Sequence, residues 1–133
     1  MPQNKDHIEI HNVVTQVFKN WSSMNPDTND SIYLADDKTV LFDAAPMQDL
    51  GWQTQKDRLR RAFKDFEYFN MEPNEDLAVH HLGDLAWATT TWTYEIRLKS
   101  GQRIEHEGRG TFVLQRKDGK WLVVHDHISR PVQ

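Results

Sequence analysis

The sequence predicts an α+β domain, with helices at its N-terminal end and an antiparallel sheet after them. Three observations carry this. Apolar residues repeat at helical period up to about residue 67. The period falls to two from about residue 70, and three tight-turn pairs then divide the chain into strands. Helices that come first and a meander that follows segregate onto one face of a sheet.

The first helix is predicted over residues 6–24. Ile10, Val14, Val17, Phe18 and Trp21 form one apolar stripe at i, i+4, i+7, i+8 and i+11. Pro26 disfavours helix at Asn25 and can open a second helix with Asn25 as its cap. That short second helix is predicted through Ile32, Tyr33 and Leu34. Asp36-Asp37-Lys38 reads as a turn, residues 39–42 as a short β run, and residues 43–53 as irregular, punctuated by Pro46 and Gly51. Thr54 is the expected cap of a third helix, with Asp57 completing a loose capping box. Leu59, Ala62, Phe63 and Phe66 are its stripe, to about Glu67. Four strands follow over residues 77–82, 85–99, 102–116 and 120–128. Gly83-Asp84, Ser100-Gly101 and Asp118-Gly119 separate them with tight-turn chemistry.

The 133 residues suit one domain with its own core. Five Trp point to a large core, a pocket, or both. The absence of Cys excludes disulfides, thiolate nucleophiles and Cys-ligated zinc. Residues 1–11 carry Lys5, Asp6 and Glu9 and no apolar run, so no signal peptide is expected. No stretch has the length to span a bilayer, so no membrane partner is expected and cytoplasm is the expected compartment. A net charge of −4 argues against a nucleic-acid partner, and the basic run over residues 56–61 reads as a solvated helix face. No Gly-rich phosphate loop and no Gly-x-Ser-x-Gly elbow occur, and no cofactor is expected.

Leu82-Gly83-Asp84-Leu85-Ala86, then Gly110-Thr111-Phe112-Val113-Leu114, then the run from Asp118-Gly119-Lys120-Trp121 to His125-Asp126-His127-Ile128-Ser129 resemble the SnoaL-like branch of the nuclear transport factor 2-like superfamily. Within it, the association domain of calcium/calmodulin-dependent protein kinase II has the same Asp-Gly-Lys-Trp turn and a similar His-x-His-x-Ser ending. The similarity is good over residues 74–131. It is weaker over 6–70, where Ala35-Asp36-Asp37 also fits. The resemblance implies a single cone-shaped domain over residues 1–133 of cystatin-like fold, in which three N-terminal helices pack on a curved antiparallel sheet and enclose a pocket. It also implies a homodimer formed through the sheet. Members include isomerases, dehydratases, hydrolases, plain binders and scaffolds, so function has to come from the site.

Strand alternation sorts side chains into faces. Leu122, Val124, Asp126 and Ile128 share one face of the last strand, and Trp121, Val123, His125 and His127 the other. The kinase association domains place arginines in their pocket at positions matching Trp92, Phe112 and Ile128. By that resemblance Trp92, Phe112, Ile128 and Asp126 face inward here. The arginines are replaced, so the expected ligand is a small hydrophobic or neutral molecule. Asp126 in apolar surroundings is a candidate general acid or base. The alternative is that it hydrogen-bonds a Trp, Tyr or His and only orders the pocket. His80 is the histidine expected to pair with it, against an edge or surface position. Trp52 is expected as a lid or as packing on the third helix, and Phe18, Trp21 and Tyr33 as the helical wall. Trp121, His125 and His127 are expected on a convex dimer interface. His125 and His127 lie at ligand spacing, but only His106 offers itself as a third ligand, so no metal site is expected.

Ketosteroid isomerases of the superfamily look similar around Ala35-Asp36-Asp37, but their catalytic base aligns with Phe42, one residue from Asp43. Their oxyanion donors fall near Phe18 and near Gly110 or Phe112. Proton abstraction beside a carbonyl needs both base and donor, which argues against that mechanism. Two readings remain: a small-molecule binder, with or without cofactor-free acid–base catalysis through Asp126 and a histidine, and an oligomerisation module with an idle pocket.

Overall fold

Helix α1 (Pro2–Ser22) buries the stripe its sequence predicts: Ile10, Val14, Val17, Phe18 and Trp21 all enter the core. A computed structural model describes residues 2–132. After α1 come a one-turn 3-10 helix (Pro26–Asn29), strands β1 (Val40–Leu41) and β2 (Asp49–Leu50), and helix α2 (Trp52–Phe63). Strands β3 (Phe66–Pro73), β4 (Ala78–Leu82), β5 (Leu85–Leu98), β6 (Arg103–Lys117) and β7 (Lys120–Ser129) complete the chain. The large sheet runs β3-β5-β6-β7, all antiparallel, and β4 pairs with the N-terminal half of β5. No described helix is long and apolar enough to cross a membrane.

Two α-helices form where three helices were predicted. Asn25 does cap the 3-10 turn, its side chain accepting from the Asp27 amide at 3.1 Å, with Pro26 behind it. The chain then leaves helix, because the open edge of β7 satisfies its backbone. The Leu34 amide donates to the Val123 carbonyl at 2.9 Å, the Val123 amide to Ile32 at 2.8 Å, and the Phe42 amide to Asp126 at 2.9 Å. Residues 32–42 thereby cover that edge, which removes an unpaired strand from solvent. Helix α2 starts two residues before the predicted cap, at Trp52, after Gly51. There φ is 84°, and a Cβ would sit 2.9 Å from Asp37 Cα, so the turn requires glycine. The sheet also has one strand more than predicted: β3 begins at Phe66, which helical spacing had assigned to the third helix.

Two bulges decide which side chains face the core. Val113 pairs with His125 but Leu114 pairs with Val123, so Val124 is an extra residue on β7. Trp121 and Val123 therefore point inward with Asp126 and Ile128, although strict alternation puts them on opposite faces. Similarly, Phe66 pairs with Leu98 and Tyr68 with Arg97, leaving Glu67 extra on β3. Phe66, Phe69 and Met71 then share one side.

On β6 the inward positions opposite β5 include Gly108 and Gly110. A Cβ at Gly108 would meet the Trp92 ring at 2.4 Å and the Ser129 carbonyl at 2.3 Å. Its absence lets the indole of Trp92 lie against the strand, where it stacks on Tyr94 with centroids 5.3 Å apart.

Candidate functional site

The concave side of the sheet and α2 enclose a pocket of about 330 Å³. Trp21 of α1, Phe63 of α2, Phe66 and Phe69 of β3, and Trp92 and Tyr94 of β5 supply its aromatic walls. Ile96, Met71 and Ile128 add aliphatic surface. Among the described residues, Asp43 and Arg58 are the only charged ones in the lining. Such a balance, mostly apolar with a few placed polar groups, characterises small-molecule sites.

Arg58 is held tightly. Its Nε donates to both oxygens of Asp49, at 3.2 and 3.0 Å, and its Nη2 donates to Asp43 Oδ2 at 2.9 Å and lies 3.0 Å from Asp49 Oδ2. Burial opposes the guanidinium charge, but the hydrogen bonds and charges of Asp49 and Asp43 outweigh it and raise the Arg58 pKa. Asp49, on β2, is fully buried, so its charge is compensated by this fork. Asp43 is further oriented by the Ala44 amide, which donates to its Oδ1 at 2.7 Å.

Behind this rim lies a second polar cluster. Asp126 is 0% exposed. Tyr33 donates its hydroxyl to Asp126 Oδ2 at 2.5 Å, and Gln55 of α2 approaches both carboxyl oxygens at 3.5 Å. Tyr33 stacks on Trp52 at 4.4 Å, and the Trp52 indole N–H donates to Asp30 at 2.8 Å. Burial pushes the Asp126 pKa up from its ordinary 3.8 to about 7, against the lowering effect of the Tyr33 hydrogen bond and with Asp43 adding repulsion. Burial and the Asp126 charge likewise raise Tyr33 well above its usual value.

The structure redistributes the predicted site residues. Trp21, Trp92 and Ile128 line the pocket. Phe18 and Phe112 pack edge-to-face at 5.7 Å inside the core, and Tyr33, Trp52 and Asp126 form the buried cluster, so these five do not line it. Asp126 faces inward but is sealed away from a ligand. His80 does not reach it: on β4 it points outward and stacks on Trp87 at 5.3 Å. His81 is the inward one, and it meets Asp6 at 3.5 Å and the ring of Trp121. Trp121 is itself a core residue at 4% exposure, because the Val124 bulge turns it inward, so it cannot belong to a convex interface. His125 contacts the Val40 carbonyl through Nδ1 at 2.6 Å, and Phe42 packs its ring edge on both His125 and His127. Among the described residues no three His, Asp or Glu side chains converge as a metal-ligand group.

Asp43, Asp49, Gln55 and Arg58 were not foreseen as a site. Asp43 reaches the pocket from a loop, since β1 ends at Leu41. Gln55 had a signal: it lies four residues before Leu59, on the apolar stripe of α2, where a polar residue needs a partner.

An α+β cone with an aromatic cavity beneath a curved sheet defines the nuclear transport factor 2-like class of folds. The chain matches the family model of SnoaL-like domains over residues 10–133 and belongs to that family. Three solved structures show the same fold. A nuclear transport factor 2-like superfamily protein from Salmonella enterica serovar Typhimurium aligns with a TM-score of 0.90 at 18% identity, covering 98% of this chain and 94% of that one. A protein assigned as a calcium/calmodulin-dependent protein kinase II association domain from Xanthomonas campestris gives 0.73 at 21%, covering 90% and 86%. One assigned as a dehydratase of the same class from Streptomyces avermitilis gives 0.85 at 15%, covering 98% and 99%. Among curated proteins none matches.

The raised Asp126 pKa fixes a pH dependence of stability. The folded value lies above the unfolded one, so the fold is favoured by the protonated carboxyl below about pH 4. That gain is lost as pH rises from 3.8 to about 7. At about 1.4 kcal/mol per pH unit, the loss is on the order of 4 kcal/mol. Asp126→Asn removes the titration. Urea unfolding at pH 4.5 and at pH 8 is expected to show the stability difference between variant and wild type moving in favour of the variant by a few kcal/mol. A pH-independent difference contradicts a neutral buried carboxyl.

Proposed function

We propose that this chain binds a small apolar ring molecule in the pocket beneath β5 and α2, and that the pocket rim supplies cofactor-free acid–base chemistry through Asp43. The observation that carries this reading is the lining: six aromatic side chains with a single carboxylate and a single guanidinium among them. Aromatic walls give affinity for rings by area and by stacking geometry. Asp43, oriented by Arg58 and by the Ala44 amide, is the carboxylate a bound molecule meets, and a proton can move at its oxygens. Asp126 acts at one remove, by holding Tyr33 and the Gln55 side chain of α2 in place. Isomerisation, dehydration and hydrolysis all lie within the reach of one positioned carboxylate beside a fixed cation. Two similar structures are assigned as dehydratases, which is compatible with this reading.

The test is saturable binding of a neutral fluorescent ring compound, N-phenyl-1-naphthylamine. Wild-type protein is expected to enhance its emission with a defined Kd. Ala62→Trp, which fills the pocket from α2, is expected to abolish the enhancement while keeping the helical and sheet signals of circular dichroism. Absence of binding to the wild type, or equal binding to both proteins, contradicts the reading.

A second reading has its own support. Leu82, Leu85 and Trp87, at the β4–β5 turn and on the outer face of β5, are 74%, 46% and 40% exposed. Apolar surface gathered in this way favours a protein contact, and a second copy of the chain is the occupant we propose. Native mass spectrometry at micromolar concentration is expected to give a dimer that Trp87→Glu weakens. A wild-type monomer overturns the homodimer.

A further inference from the structure

The rim of the pocket contains donors that the protein leaves unused. Arg58 commits Nε and Nη2 to Asp49 and Asp43, and no described residue accepts a hydrogen bond from Nη1. Nη1 is also not among the side-chain atoms sealed from solvent without a partner. It is therefore a pair of N–H groups in a planar fork whose position the two aspartates fix from the other side. Of the polar side chains of the lining, Asp43 is already engaged by Arg58 and Ala44, Tyr94 carries a hydroxyl that donates or accepts, and the Arg58 Nη1 group can only donate. A ligand that answers Arg58 carries an acceptor.

The charge of that acceptor follows from the same geometry. Arg58 already faces two carboxylates, so the cluster carries a net negative charge while both are ionised. A ligand carboxylate at Nη1 would share one guanidinium with the Asp43 and Asp49 carboxylates. At an effective dielectric of about 20, like charges about 4 Å apart repel by about 4 kcal/mol, which cancels what the guanidinium offers. A neutral oxygen meets the donors without that repulsion. Its bond to a charged donor is of the stronger kind.

We infer that Arg58 is the specificity-determining residue of this pocket, selecting ring molecules that present a neutral acceptor oxygen to its Nη1 over the bare hydrocarbon and over the corresponding carboxylate. This rests on the pocket reading above and adds the polarity and charge of the ligand to it. Asp49 is then a positioning residue: fully buried, it holds the guanidinium from behind and touches no ligand.

The experiment is competition against bound N-phenyl-1-naphthylamine by three probes of one shape: naphthalene, 2-acetylnaphthalene and 2-naphthoate at pH 8. 2-Acetylnaphthalene is expected to displace the fluorophore at a concentration about tenfold lower than naphthalene, as one hydrogen bond to a charged donor provides. 2-Naphthoate is expected to need at least as much as naphthalene. In Arg58→Lys, which keeps a cation for the two aspartates and lacks the free nitrogen, the ratio between the displacing concentrations of naphthalene and 2-acetylnaphthalene is expected to fall to about one. Equal displacement by ketone and hydrocarbon in the wild type overturns the inference and leaves the pocket standing. So does preference for the carboxylate. Failure of the fluorophore to bind overturns pocket and inference together. The wild-type comparison decides the matter even where Arg58→Lys fails to fold.

Discussion

One extra residue on β7 organises the interior. With Val124 bulged out of the ladder, Trp121, Val123, Asp126 and Ile128 all turn inward, and a carboxyl group becomes part of the core. Such a group is tolerated only if it stays neutral or finds partners. The chain provides both. Tyr33 donates to it from the segment that covers the β7 edge, and Gln55 approaches it from α2. The buried acid thus joins three parts of the chain through side chains: β7, the segment that covers its edge, and α2. The position of α2 follows, and with it the position of Arg58 one turn further along the same helix.

The carboxylates Asp126 and Asp43 stand in different surroundings. Asp126 is sealed, and burial holds its pKa high; its role is architectural. Asp43 is at the pocket rim, bound by a backbone amide and a guanidinium, where a ligand can touch it. The aromatic walls depend on equally local devices. The Glu67 bulge brings Phe66 into line with Phe69, and Gly108 makes room for the Trp92 ring.

Much of the fold was legible in the sequence because it rests on periodicity and turn chemistry. The α1 stripe, the long hairpins of β5 to β7 and the glycine turns all follow from local rules, and the family resemblance added the curvature. Alternation sorted the strands into two faces, and the resemblance to the kinase association domains told that Trp92, Phe112, Asp126 and Ile128 lie on the inner one. What escaped depended on single insertions and on non-local partners. Alternation placed Trp121 outside because nothing in the sequence marks Val124 as a bulge. Tyr33 was read into a helix because the free edge of β7, ninety residues away, is what draws its segment out straight. Arg58 was lost in a basic run, since neither of its aspartates lies at helical spacing from it. His80 and His81 were separable only by the register of β4 on β5.

The central claim is that a neutral carboxyl, placed by the β7 bulge, sits at the centre of the packing. Carbon-13 NMR of the Asp126 side-chain carboxyl, followed from pH 3 to pH 9, tests it most directly. The account predicts a single titration with a midpoint near 7. A midpoint near the ordinary 3.8, with the carboxylate charged throughout the neutral range, would contradict it.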